Sequence, residues 1–130
     1  VVNEYGSGDS DCSVNVHFDA SIKNVSPKEF VASISSKIYG EKMQEKMRSV
    51  IPDATVIKSD KTFLSNQDAF YMIIKSTFRS FETEVSMKML QIQTIKNGYS
   101  YTVTCRARQD RFDEMLPFFQ VITSGFLIKD

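Results

Sequence analysis

The amino-acid sequence predicts an α+β fold, a three-layer α/β/α sandwich around a mainly antiparallel sheet. Three observations carry this. The patterned segments run strand, long helix, four strands joined by short loops, and a closing helix, so helices enter from both ends of the chain around a run of hairpins. Asn97-Gly98 is the strongest short hairpin signal, because both positions of a type I′ turn need positive φ. Residues 70 to 74 are apolar in both phases, with Phe70, Met72 and Ile74 on one side and Tyr71 and Ile73 on the other, which predicts a strand covered on both faces.

The elements follow in order. "CSVNVHF" alternates strictly, Cys12, Val14, Val16 and Phe18 against Ser13, Asn15 and His17, as a half-buried strand does. "SPKEF" supplies Ser26 as N-cap, Pro27 at the first helical position and Glu29 at the third, a capping box that opens a helix. Its apolar stripe, Phe30, Ile34 and Ile38, steps by one residue at Gly40 and continues as Tyr39, Met43, Met47 and Ile51, so a kink or two successive helices are expected there. Pro52 stops it.

Strands are expected in "ATVIKSDKTFL", "AFYMIIKSTFR" and "EVSMKMLQIQTIK", separated by the turn-like "SNQD" and "RSFE". The Asn97-Gly98 turn sets Lys96 opposite Tyr99, Ile92 opposite Val103 and Leu90 opposite Cys105. Val85, Met87 and Met89 then fall in the other phase. Either the back face is covered too, or a bulge between 87 and 90 restores the phase. In the final segment Asp110 is the expected cap, Pro117 splits a first turn over 111–115 from the main helix, and Gly125 ends it as a left-handed cap.

Sixteen basic residues balance sixteen acidic ones among 130, so no global field draws the protein to nucleic acid. No apolar run approaches the roughly 20 residues a membrane span needs. The first eleven residues, opening on Val1, read as a flexible leader of a processed or excised piece, followed by a single domain over 12–130.

Few residues suit chemistry. His17 is the only histidine and lies in the polar phase of its strand with no paired nucleophile, so an inert surface histidine is favoured over a general base. Cys12 and Cys105 are read as two reduced, buried thiols, since a disulfide requires their strands to be neighbours. Asp110, Asp113 and Glu114 suit a helix first turn better than a cation. The methionines lie beside Ile and Phe as core filler. No metal site and no cofactor is expected.

One charged constellation is a candidate for partner binding: Arg79, Arg106, Arg108 and Arg111, with Arg106 and Arg108 in the outward phase of one strand. Guanidinium groups in a row suit carboxylate or phosphate recognition. Tyr71 or Phe81, if exposed beside them, would be the apolar anchor.

The segments "IPDATVIKSDKTFLSNQDAFYMIIKST", "IKNGYSYTVTCRA" and "RFDEMLPFFQVITSGF" together resemble the PsbP-like superfamily, in its bacterial envelope lipoprotein-like branch. Asn-Gly-Tyr-x-Tyr, then Phe-(x)4-Pro-x-Phe and a closing Ser-x-Phe carry the resemblance over about residues 12–128. The chain departs from the pattern in having no Trp and in placing Gly125 between Ser124 and Phe126.

The resemblance implies a non-enzymatic domain working through an unknown protein partner. Its members include the extrinsic P subunit of photosystem II, a Ran-binding nuclear import factor and small bacterial envelope lipoproteins. An exported setting is favoured, with a possible lipid anchor upstream of Val1. An intracellular adaptor similar to the Ran-binding member is one alternative. Another is an NTF2-like small-ligand domain, with its sheet curled around a pocket and both helices on one side.

Overall fold

In a computed structural model of the chain, residues 10–34, 37–50, 53–80 and 83–128 are described. The fold is α+β. The strands β1 (Asp11–Phe18), β2 (Thr55–Leu64), β3 (Gln67–Ser80), β4 (Thr83–Lys96) and β5 (Tyr99–Arg108) form one sheet in the order β1-β5-β4-β3-β2. All four neighbouring pairs are antiparallel. Helices α1 (Pro27–Ile34) and α2 (Lys37–Val50) follow β1, and α3 (Gln109–Ser124) closes the chain.

The hairpins explain the sheet order. Asn97 and Gly98 take φ of 52° and 87°, and the turn sets Lys96 against Tyr99, Ile92 against Val103 and Leu90 against Cys105, the register expected from a two-residue turn. The β2–β3 connection is equally tight, with Ser65 and Asn66 both at positive φ and Leu64 facing Gln67. Four turn residues were expected there, but only two are used. Serine in the left-handed region gives no strong sequence signal.

The two-sided apolar pattern becomes two cores. On one face Cys12, Leu64, Ala69, Leu90, Ile92, Val103, Cys105 and Ala107 pack under Phe112, Met115 and Phe119 of α3, with Tyr71 and Ile73 alongside. On the other, Phe70, Met72 and Ile74 pack under Val31 and Ile34 of α1, with Met89 against them. Met89 thus belongs to the second core, and β4 pairs with β3 and β5 without a register shift. The opposite phase of Met87 and Met89 reflects a covered back face, not a bulge.

Local choices agree with this plan at α1. The Glu29 amide donates to Ser26 Oγ at 3.1 Å, and the Ser26 amide donates to Glu29 Oε1 at 3.4 Å, the two reciprocal bonds of a capping box. There are two successive helices, yet α2 already runs from Lys37 through Gly40. α1 ends at Ile34, so Gly40 lies inside α2 and is not where the helices part. Pro52 lies outside the described residues.

The closing helix departs further from expectation. It is continuous from Gln109 to Ser124 with Pro117 inside it, and its N-cap is Arg108, while Asp110 lies in the first turn. Proline removes one amide bond, but Phe112 and Met115 before it and Phe119 and Thr123 after it share one buried face. Packing that spans the proline holds both halves on the sheet. Gly125 is right-handed at φ −89° and its amide donates to the Val121 carbonyl at 3.1 Å. The helix ends by one more α-type bond, and no left-handed cap forms.

Candidate functional site

The structure corrects the reading of the cysteines. Cys12 on β1 and Cys105 on β5 are directly opposed and joined as a disulfide with Cα atoms 4.0 Å apart. The pairing was hidden because β1 reaches β5 across 93 residues of chain, a neighbour relation no local pattern shows. The bridge is buried, with Cys12 1% and Cys105 0% exposed.

Beside it lies the arginine end of the sheet. Cys105 and Ala107 face α3, so Arg106 and Arg108 project from the opposite face, where they stand across from Met89 and Met87 of β4. Arg106 forks onto Asp11 of β1, Nε to Oδ1 at 2.8 Å and Nη2 to Oδ2 at 3.1 Å. Arg108 is 3.6 Å from Asp110. Arg111 is 3.6 Å from Glu114, one α3 residue to another.

Of the four arginines singled out from sequence, Arg106 and Arg108 share a face, while Arg111 belongs to the helix layer on the other side. Arg79 stands opposite Glu84 in the β3–β4 ladder, and its side chain lies outside the described residues, as does Phe81. Tyr71 is half-buried against the α3 core and is not an exposed anchor beside the arginines. His17 is exposed, its carbonyl accepting from Ser100 Oγ at 3.3 Å. Among the described residues no group of three His, Cys, Asp or Glu side chains is placed to hold a metal.

Two further surfaces had no sequence signal of their own. α3 packs over β4 and β5 and leaves the β2 side of that face open, forming a cleft of about 350 Å³ lined by Lys58, Thr62, Tyr71, Ile73, Leu116 and Gln120 among others. Among the described residues Lys58 is the one charged group in its lining, so the cleft can hold an apolar group but brings no acid–base pair of these residues together. At the other end, the Phe18 ring lies 5.0 Å from that of Tyr99 at a tilt of 60°, and Tyr99 lies 6.5 Å from Tyr101. A Cβ on Gly98 would meet the Phe18 ring at 3.0 Å, so glycine serves both the turn and this ring.

Asp19, just after β1, has its carboxyl held below the usual aspartate range by the Ser21 hydroxyl and amide, with His17 a smaller contribution. Among the described residues no helix is long and apolar enough to cross a membrane.

No protein-family model matches the chain, and no curated protein matches it. Solved structures do match. A protein of unknown function from Pseudomonas aeruginosa, a candidate regulator, aligns at a TM-score of 0.62 and 11% identity over 92% of this chain and 85% of its own. The cyanobacterial PsbP (CyanoP) of Synechocystis aligns at a TM-score of 0.66 and 15% identity over 95% of this chain and 69% of its own. The chain has a PsbP-like fold.

Proposed function

We propose that this chain is a non-catalytic binding or assembly domain that works through protein–protein contacts in an oxidising compartment outside the cytosol, in the bacterial envelope. The observation that supports this reading is the buried Cys12–Cys105 disulfide, because such bridges persist in oxidising compartments and are reduced in the cytosol. Free thiols would be natural for the intracellular-adaptor alternative, so the bridge counts against it. The domain occupies residues 12–130, and a lipid anchor upstream of Val1 would hold it at a membrane surface without a span.

The face of Arg106 and Arg108 is the proposed partner surface. Both guanidinium groups are exposed at the sheet end, and arginine is enriched where partners meet. Each already has a carboxylate neighbour, so a partner would compete for guanidinium groups held in place. Arg111 lies on the other face with Glu114 and the Arg79 side chain is outside the described residues, so these two are secondary candidates.

The test is a pull-down from native extract comparing the wild-type chain with Arg106→Glu/Arg108→Glu. The variant is expected to lose its partners while stability falls by only about 1 kcal/mol, the cost of an exposed ion pair, as read from a thermal melt. Partner recovery equal to the wild type's would show these arginines to be solubilising charge only.

A further inference from the structure

The two edges of the sheet are built differently. On the β2 edge the register shifts at Ile57, and Lys58 and Lys61 stand along the strand. A bulge and lysines are the devices that prevent an edge from pairing with another chain. The β1 edge has neither. Its eight residues, Asp11–Phe18, pair with β5 without a register shift and include no lysine and no proline.

The geometry of β1 fixes which backbone groups face outward. The Asp19 amide donates to the Gly98 carbonyl at 2.8 Å, just beyond the β1–β5 ladder. Hydrogen-bonded and non-hydrogen-bonded pairs alternate in an antiparallel ladder. Odd-numbered residues of β1 therefore turn their N–H and C=O groups to β5, and Cys12, Val14, Val16 and Phe18 turn theirs to the open edge. The side chains of these same residues lie on the α3 face, where Val16 is 51%, Phe18 50% and Tyr99 of β5 43% exposed. α3 packs over β4 and β5 and leaves room above this edge.

We infer that β1 pairs antiparallel with β1 of a second copy of this chain, about a twofold axis at Val14, joining the two sheets into one. In that register Val14 faces Val14, Cys12 faces Val16 and Ser13 faces Asn15, so apolar meets apolar on one face and polar meets polar on the other. Asp11 faces His17 of the second copy. The neighbouring registers fit less well. A slip of one residue turns every side chain to the wrong face. Among two-residue slips, one sets Asp11 against Asp19 and the other shortens the stretch paired within β1 from Asp11–His17 to Asp11–Asn15. The disulfide to β5 holds the edge in its bound shape, which lowers the ordering cost of association.

Analytical ultracentrifugation of the oxidised full chain, up to about 1 mM, tests this. A concentration-dependent dimer is expected. Val14→Pro removes an outward-facing N–H, at a position where an edge strand tolerates proline, together with part of the Val14 packing on the α3 core, and is expected to be a folded monomer. Val16→Lys, which keeps every backbone group, is expected to weaken the dimer at least about tenfold by placing charge in the apolar stripe. His17→Asp should weaken it by up to about fivefold through repulsion from Asp11. A wild-type chain that stays monomeric, or a dimer untouched by Val16→Lys, overturns the inference. The arginine-face reading is untouched by either result, because its readout is a different partner.

Discussion

Replacing Cys12 and Cys105 together by alanine is expected to lower the unfolding free energy by about 4–5 kcal/mol and the thermal midpoint by roughly 15 °C or more. The bridge joins residues 93 apart in sequence, so its loss returns a large share of conformational freedom to the unfolded chain. The native structure loses as well. Among the described residues β1 pairs with β5 alone, and Cys12 and Cys105 are buried within the α3 core. Hydrogen exchange should therefore quicken most along Asp11–Phe18, while the β3–β4 hairpin keeps the protection of the remaining core. Urea titration of the wild type in reductant should reproduce much of the loss. A double variant with the wild-type midpoint would mean that β1 is held by packing alone.

Phe119→Ala is expected to cost about 3–5 kcal/mol, the range for emptying a large aromatic site in a core. Phe119 is 1% exposed, and its ring lies 5.9 Å from that of Phe112 on the other side of Pro117. Because Pro117 weakens the hydrogen-bond ladder of α3, contacts on either side of it keep the helix on the sheet. The adjacent Phe118 is 50% exposed, and Phe118→Ala should change stability by no more than about 0.5 kcal/mol. Denaturant titrations of the two variants side by side distinguish a packed helix from a loosely laid one. Similar losses for both would contradict the placement of α3.

The parts of this fold legible in the sequence are those with a local physical cause. Asn97-Gly98 set the β4–β5 register because its turn type allows one pairing. Ser26 and Glu29 opened α1 because a capping box satisfies amides within four residues. The double-sided pattern of 70–74 required two covering layers, and α1 and α3 supply them.

The misreadings are non-local. Pro117 was expected to split α3, but burial of Phe112, Met115, Phe119 and Thr123 on one face outweighs one lost amide bond. The cysteines were read as free because a disulfide requires their strands to be neighbours, and only the folded order places β1 beside β5. The arginines looked like one constellation by strand phase, yet α3 leaves the sheet on the opposite face and carries Arg111 away from Arg106 and Arg108. The cleft by Lys58 and the open β1 edge had no signal because both come from where α3 and β1 dock.

Thiol trapping in the native cell tests the central claim most directly. Cells are quenched in acid and free thiols are alkylated before reduction, with a second alkylating label added after it; the Cys12 and Cys105 peptides are then read by mass spectrometry. A domain that works in an oxidising compartment is expected to carry only the second label at both positions, the mark of a Cys12–Cys105 bridge formed in vivo. First label on both cysteines in the bulk of the protein would place the working chain in a reducing compartment and contradict the account.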